Sequence, residues 1–217
     1  MTVSHLQRLV AVMDQLRSPG GCVWDAEQTH ESLLKFLLEE SYEYIEAVET
    51  NDREAMREEL GDVLLQVYFH ARMAQEHPTE PFSIEDVAES VAEKLIRRHP
   101  HVFGDVKVSS SDEVLENWEA LKAAEKGRTS AVDGVPLTQP ALALVAKLLY
   151  RAEKNKLNLT LPQRIDIPTR ATEEAVGEVL LATIAWAMEH GVDPEGALRR
   201  SARGLMAEIA KLESAVG

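Results

Sequence analysis

Cysteine is nearly missing from this chain: Cys22 stands alone, so no internal disulfide can form. No apolar run approaches the roughly 20 residues that a bilayer-spanning helix needs. No N-terminal stretch joins a basic start to an apolar core of signal length. Together these absences set the expectation of a cytoplasmic protein without a membrane partner. Positive charge is also scarce, with 23 bases against 37 acids and a net charge of -14. Binding a nucleic-acid polymer depends on neutralising its phosphates with Lys and Arg, so a broad nucleic-acid surface is not expected. A small phosphorylated ligand remains compatible with that charge. What is present, 217 residues with 45% hydrophobic content, suits one or two compact soluble domains.

Gly and Pro are missing from Leu33 to Val48, where Leu33, Leu34, Leu37, Leu38, Ile45 and Val48 recur at helical intervals. Glu40 and Glu43, at i and i+3, therefore share a helix face. After a break at Asn51-Asp52, Leu60, Val63, Leu64 and Val67 predict a second helix, which places Glu59 and Asp62 on one face at the same spacing. Asn51 with Glu54 three residues on reads as the cap that starts it. A break this short predicts antiparallel neighbours. Glu43 and Glu59 then lie equally far from the turn, as do Glu40 and Asp62. With a rise of about 1.5 Å per residue, the two levels of acids are roughly 4.5 Å apart.

Four carboxylates that close cannot all stay ionised without a counter-charge. A hard divalent cation supplies it: Mg²⁺ takes oxygen ligands and keeps places for water and substrate phosphates. Solvated helix faces are the alternative for acids in a chain this acidic. Gly61, inside the second helix at a cost of about 1 kcal/mol against Ala, is expected to serve a close helix approach or a ligand.

Around this hairpin the pattern is helical throughout. Residues 3 to 17 carry Val3, Leu6, Leu9, Val10, Met13 and Leu16 before the breaker Ser18-Pro19-Gly20-Gly21. The loop from Cys22 to Thr29 holds Trp24, read either as a core plug or as a ligand contact, and Gln28. The second acidic helix is expected to run to His77-Pro78. Ser83 with Asp86 caps a helix that ends in Lys94, Arg97 and Arg98. Those bases either complement the helix dipole or, with Lys94 and Arg98 at i and i+4, reach one phosphate chain. His99 and His101 read as turn residues, since Mg²⁺ prefers oxygen. A helix from about Asp112 to Lys126 sets Trp118 and Lys122 one turn apart. Gly134, Pro136 and Pro140 mark a linker, giving expected domains at 1–127 and 141–217 joined by 128–140. The second domain is expected to hold helices at about 141 to 155, 171 to 190 and 195 to 214. Pro162 and Pro168 interrupt between the first two.

An internal repeat links the two halves. Glu58-Glu59-Leu60-Gly61-Asp62-Val63-Leu64-Leu65 matches Glu174-Ala175-Val176-Gly177-Glu178-Val179-Leu180-Leu181. The apolar pattern survives, but Ala175 replaces Glu59 and Glu178 replaces Asp62. Gly204 falls where the first copy has Lys94.

The text Leu37-Leu38-Glu39-Glu40-Ser41-Tyr42-Glu43 followed by Glu58-Glu59-Leu60-Gly61-Asp62-Val63-Leu64-Leu65-Gln66-Val67 resembles the MazG nucleoside triphosphate pyrophosphohydrolases. The loop Cys22-Val23-Trp24-Asp25-Ala26-Glu27-Gln28-Thr29 resembles the family's Cys-Pro-Trp-Asp-x-Glu-Gln-Thr, with Val23 in place of proline. The run Arg97-Arg98-His99-Pro100-His101-Val102-Phe103 is also similar.

The resemblance implies an all-α, MazG-like helical bundle of two related units, the second shortened and without a site, forming a homodimer. It implies hydrolysis of nucleoside triphosphates, ribo or deoxy, to monophosphate and pyrophosphate in nucleotide-pool house-cleaning. Glu40, Glu43, Glu59 and Asp62 would hold Mg²⁺, with Mn²⁺ as a substitute. Glu39 or Glu58 would orient or deprotonate the attacking water. Lys94, Arg97, Arg98, Trp118 and Lys122 would contact the nucleotide, with Trp24 and Gln28 nearby. Phosphoribosyl-ATP pyrophosphohydrolases and dimeric dUTPases share the architecture, and a non-catalytic nucleotide sensor is the alternative from another class.

Overall fold

The computed structural model describes residues 4–127, 130–155, 157, 159 and 168–201. Among them there is helix and connecting chain and no strand, as the helical periodicity predicts. The chain divides into two compact units, residues 1–118 and 119–217.

The first unit begins with α1, His5–Arg17. Ser4 caps it in a reciprocal box, accepting from the Gln7 amide while the Gln7 side chain accepts from the Ser4 amide. The Ser18-Pro19-Gly20-Gly21 breaker ends it, and the expected loop that follows contains a short helix, α2, Val23–Glu27. Thr29 caps the long α3, His30–Thr50, through the Ser32 amide at 3.2 Å.

The turn between the acid-bearing helices differs from the expected cap. Asn51 closes α3 in the left-handed conformation, φ 58° and ψ 33°, a state Asn adopts more readily than other side-chain-bearing residues. Asp52 is the residue that opens α4, Arg53–Ala74, accepting from the Glu54 and Ala55 amides at 3.0 and 3.1 Å. The helix also stops short of His77-Pro78, because its last carbonyls are satisfied by the Gln75, Glu76 and His77 amides in a closing turn.

Helices α3 and α4 make the most extensive helix–helix contact of the described residues, with α1 laid against α4. Met13, Leu33, Phe69 and Met73 are buried at their junction, flanked by Leu9, Leu16, Phe36, Leu65 and Tyr68. Each such side chain stabilises by about 1.5–3 kcal/mol. Phe69→Ala would cost about 3–5 kcal/mol by leaving a cavity. This core lies toward the open end of the hairpin, away from the Asn51 turn.

After the turn, Ser83 and Asp86 form the expected reciprocal box at the start of α5, Ile84–Arg98. A one-turn helix, α6, Pro100–Phe103, holds the His99–His101 corner. The next helix, α7, Ser111–Glu125, crosses the division between the units.

In the second unit α8, Ala141–Lys154, packs on α9, Glu173–Glu189. Its interior is built of small residues, Ala152, Ala182, Ala185 and Ala187, with Ile184. Buried Arg151 donates to the carbonyls of Ala131 and Asp133 at 3.0 and 2.7 Å, fixing the chain that leads into α8. Residues 194–201 are helical. The remainder of the expected last helix, with Gly204, and most of the segment around Pro162 lie outside the described residues.

Candidate metal and nucleotide site

Folding back about Asn51 brings the mirrored acids together. One carboxylate oxygen from each of Glu40, Glu43 and Glu59 lies within 4.8 Å of the others. Glu40 and Glu59 are half-buried and Glu43 is exposed. Burial pushes the Glu40 carboxyl above the ordinary carboxylate value, and the charges of Asp62, Glu43, Glu59 and Glu39 push it further. Glu59 is raised in the same way, by burial first, then by Glu43, Asp62 and Glu58, and by a hydrogen bond shared with Glu43. Asp62 thus belongs electrostatically to the cluster. The charges that shift Glu40 and Glu59 are all negative, so the group carries a strain that a cation would relieve.

The donor set is carboxylate oxygen alone, which suits a hard, octahedral cation and not a thiolate- or imidazole-seeking one. Glu39 and Glu58 are exposed on neighbouring faces of the same two helices, each close enough for its charge to act on the adjacent ligand candidate.

The bases that the sequence singles out lie on α5. Among the described residues, the backbone of α5 packs on α4 and α6. Lys94 and Arg97 are exposed, whereas Arg98 is buried with its guanidinium 5.6 Å from the Trp118 ring centroid. The structure therefore joins Arg98 to Trp118, a cation–π pair that holds the guanidinium in place. Lys122, one turn beyond Trp118, pairs with Glu119 at 3.6 Å.

Trp24 is half-exposed and stands edge-on to Phe36, ring centroids 6.0 Å apart at 73°. Phe36 precedes Glu40 by one turn on the same stripe of α3, which places an aromatic wall beside the acids. Gln28 is engaged locally at both ends of its amide: Nε2 donates to the Trp24 carbonyl at 2.9 Å and Oε1 accepts from Ser32 at 2.8 Å. Gly61 does not serve a close helix approach. A Cβ there would meet nothing within 4 Å, so the expected packing role fails and the position is open.

Two polar links at the open end of the hairpin were not visible in the sequence pattern. His30 and His70 face each other with Nδ1 atoms 2.7 Å apart, so one proton is shared between the two rings. Arg17 joins Glu76 and two loop carbonyls. His30 and His70 are 40 positions apart and Arg17 and Glu76 are 59 apart, and no local spacing announces either pair.

Residues 28–103 match the family described as the MazG nucleotide pyrophosphohydrolase domain, a span that holds both acidic helices and α5. An uncharacterised 26.1 kDa protein of Streptomyces cacaoi is 48% identical over 92% of this chain and 78% of its own length. The nucleoside triphosphate pyrophosphohydrolase/pyrophosphatase MazG of Thermotoga maritima is 39% identical over 97% of this chain and 86% of its own length. The nucleoside triphosphate pyrophosphohydrolase of Escherichia coli K12 is 35% identical, covering 92% of this chain and 83% of that protein.

Proposed function

The chain belongs to the MazG family of nucleotide pyrophosphohydrolases, and from that premise we propose that it hydrolyses nucleoside triphosphates to the monophosphate and pyrophosphate, clearing unwanted nucleotides from the pool. The observation that carries the reading is the meeting of Glu40, Glu43 and Glu59 within 4.8 Å, with Asp62 raising Glu40 further. These four acids are the ligands for Mg²⁺, with Mn²⁺ as a substitute. When bound, the cation supplies neutralisation of phosphate oxygens and a more acidic water.

The remaining roles fall to side chains of this chain. Glu39 or Glu58 orients the attacking water and takes its proton. Water adds to phosphorus as the anhydride between the α and β phosphates breaks, and the electron pair leaves with pyrophosphate. Lys94, Arg97, Arg98 and Lys122 stabilise the charge on that leaving group. Arg98 is held for this by Trp118. Trp24, half-exposed beside Phe36, meets the nucleotide through its indole face. Gln28 acts by keeping the Trp24 segment in place, since its amide is already engaged.

A homodimer completes the site in this reading. Leu34, Leu38 and Tyr42 form an exposed stripe along α3, on the face opposite Glu40 and Glu43, and Leu60 and Val67 are exposed on α4. Exposed apolar side chains on both acid-bearing helices fit a second copy packed as a helical bundle. The second unit, which keeps the apolar repeat without the acids, serves packing and not turnover.

Phosphorus NMR of the products with Mg²⁺ and each common nucleoside triphosphate tests the reading. Pyrophosphate with monophosphate is the expected result. Orthophosphate with diphosphate would replace the assigned reaction, and bound but unchanged triphosphate would favour a nucleotide sensor.

A further inference from the structure

Arg17 closes α1 and is committed to three partners at once. Its side chain is only 6% exposed. Nε and Nη2 grip the Glu76 carboxylate at 3.0 and 2.8 Å in a two-point fork. Nη1 donates to the carbonyls of Asp25 and Gln28, the latter at 3.2 Å. The guanidinium also lies 5.5 Å from the ring centroid of buried Phe69. On the far side Glu76 is held by Arg72, which pairs in turn with Asp14 of α1. The Arg17 hydrogen bond is the largest influence keeping the Glu76 carboxyl below its ordinary value.

The two carbonyls that Arg17 holds bracket the end of α2, the segment that carries Trp24. Gln28, whose carbonyl is one of them, ties its own side chain to the Trp24 carbonyl and to Ser32 on the first turn of α3. The path from Arg17 to the Trp24 indole is therefore two short links of backbone. At its end Trp24 rests against Phe36, one turn from Glu40. Beyond its counter-ion, Arg17 directs two donors to the carbonyls of Asp25, within α2, and of Gln28, just past its end.

We propose that Arg17 is a positioning residue for the nucleotide: with Glu76 it fastens the α2 segment so that Trp24 stands beside Phe36 and the carboxylate cluster. The proposal rests on the reading above that Trp24 meets the nucleotide. It separates substrate placement, governed from the open end of the hairpin, from metal binding, governed by the fold about Asn51. Lost placement appears as a raised KM with turnover and metal affinity retained.

The test compares Arg17→Met, Glu76→Gln and Trp24→Ala in the full chain, measuring kcat and KM for one nucleoside triphosphate with Mg²⁺ and the Kd for Mn²⁺ alone. Arg17→Met is expected to raise KM about tenfold, with kcat and the Mn²⁺ Kd within about twofold of the unaltered protein. Glu76→Gln keeps a neutral partner for Arg17, folds more readily and is expected to raise KM by about threefold. If Arg17→Met does not fold, Glu76→Gln alone decides the matter. An unchanged KM in folded Glu76→Gln overturns the proposal, as does a matched fall in kcat and Mn²⁺ affinity, the mark of a merely structural arginine. Trp24→Ala without a rise in KM removes the underlying reading of Trp24 and the proposal with it. Trp24→Ala with a raised KM beside inert Arg17 and Glu76 variants removes the proposal alone.

Discussion

The α3–α4 hairpin and the α8–α9 pair are written on one apolar template, and they differ in what the template carries. Leu60 and Val176 occupy matching positions and are about equally exposed, at 50% and 47%. Gly61 and Gly177 match, and a Cβ at either would meet nothing within 4 Å. Where the first unit places Glu59 and Asp62, the second has Ala175 and Glu178, and α8 has no Glu-x-x-Glu pair to face them. The helical pair therefore forms without the acids. In the first unit the acids oppose the fold, since burial and mutual repulsion hold Glu40 and Glu59 above their ordinary values. A feature that packing does not need and electrostatics resists supports the proposed metal site.

The comparison breaks most visibly under neutralisation of one acid in each unit. Glu59→Gln is expected to lower triphosphate hydrolysis by about a hundredfold or more, because it removes one of the four proposed metal ligands. Glu178→Gln, at the position matching Asp62, leaves kcat/KM within about twofold, since among the described residues of the second unit no group of acids completes a ligand set. A steady-state assay of both variants reads the contrast directly.

Restoring the acids in the second unit sharpens it. The double change Ala175→Glu with Glu178→Asp reproduces the α4 half of the ligand pattern on α9 and is expected to add no Mn²⁺ site by calorimetry. The missing half lies on α8, and two carboxylates on one helix do not replace four across two. A second site in that variant would show that the facing pair is dispensable.

Smaller effects follow from protonation. Glu40 and Glu59 release their protons at higher pH in the folded chain than in the unfolded one. Folded protein thus binds more protons in that interval, and stability falls as pH rises through it. Without metal, Glu59→Gln is expected to raise Tm at pH 7 and to leave it unchanged below the ordinary carboxylate range. With saturating Mg²⁺ the gain at pH 7 disappears.

His70 acts in the opposite sense. Burial, and then His30, lower its value from 6.5, so the unfolded chain takes up the proton first as pH falls. Its contribution is full above the ordinary imidazole value and is lost below it. His70→Gln is accordingly expected to flatten the dependence of Tm on pH below about 6.5 by a few degrees or less. Thermal melts across pH separate the two contributions because they run in opposite directions.

The meeting of Glu40, Glu43 and Glu59 was legible because i, i+3 spacing and a short break convert position in the chain directly into position in space. The helix start at Ser83 was legible for the same local reason, a side chain capping an amide three residues ahead. The Asn51–Asp52 turn was half legible. Either residue can cap, and only the left-handed backbone at Asn51 gives Asp52 the task. Of the two readings of Gly61 the close approach failed, because a helix glycine signals an open face as readily as tight packing. The Arg17–Glu76 fork depends on tertiary packing, which leaves no periodic trace.

The most direct test of the central account, that one set of carboxylates in the first unit binds the cation on which hydrolysis depends, is a Mn²⁺ titration read by the loss of its free paramagnetic signal, with turnover followed in the same samples. The account predicts uptake and turnover that rise together in the unaltered chain and are both lost in Glu59→Gln. Equal uptake and turnover in Glu59→Gln, or hydrolysis that persists after the cation is chelated, would contradict it.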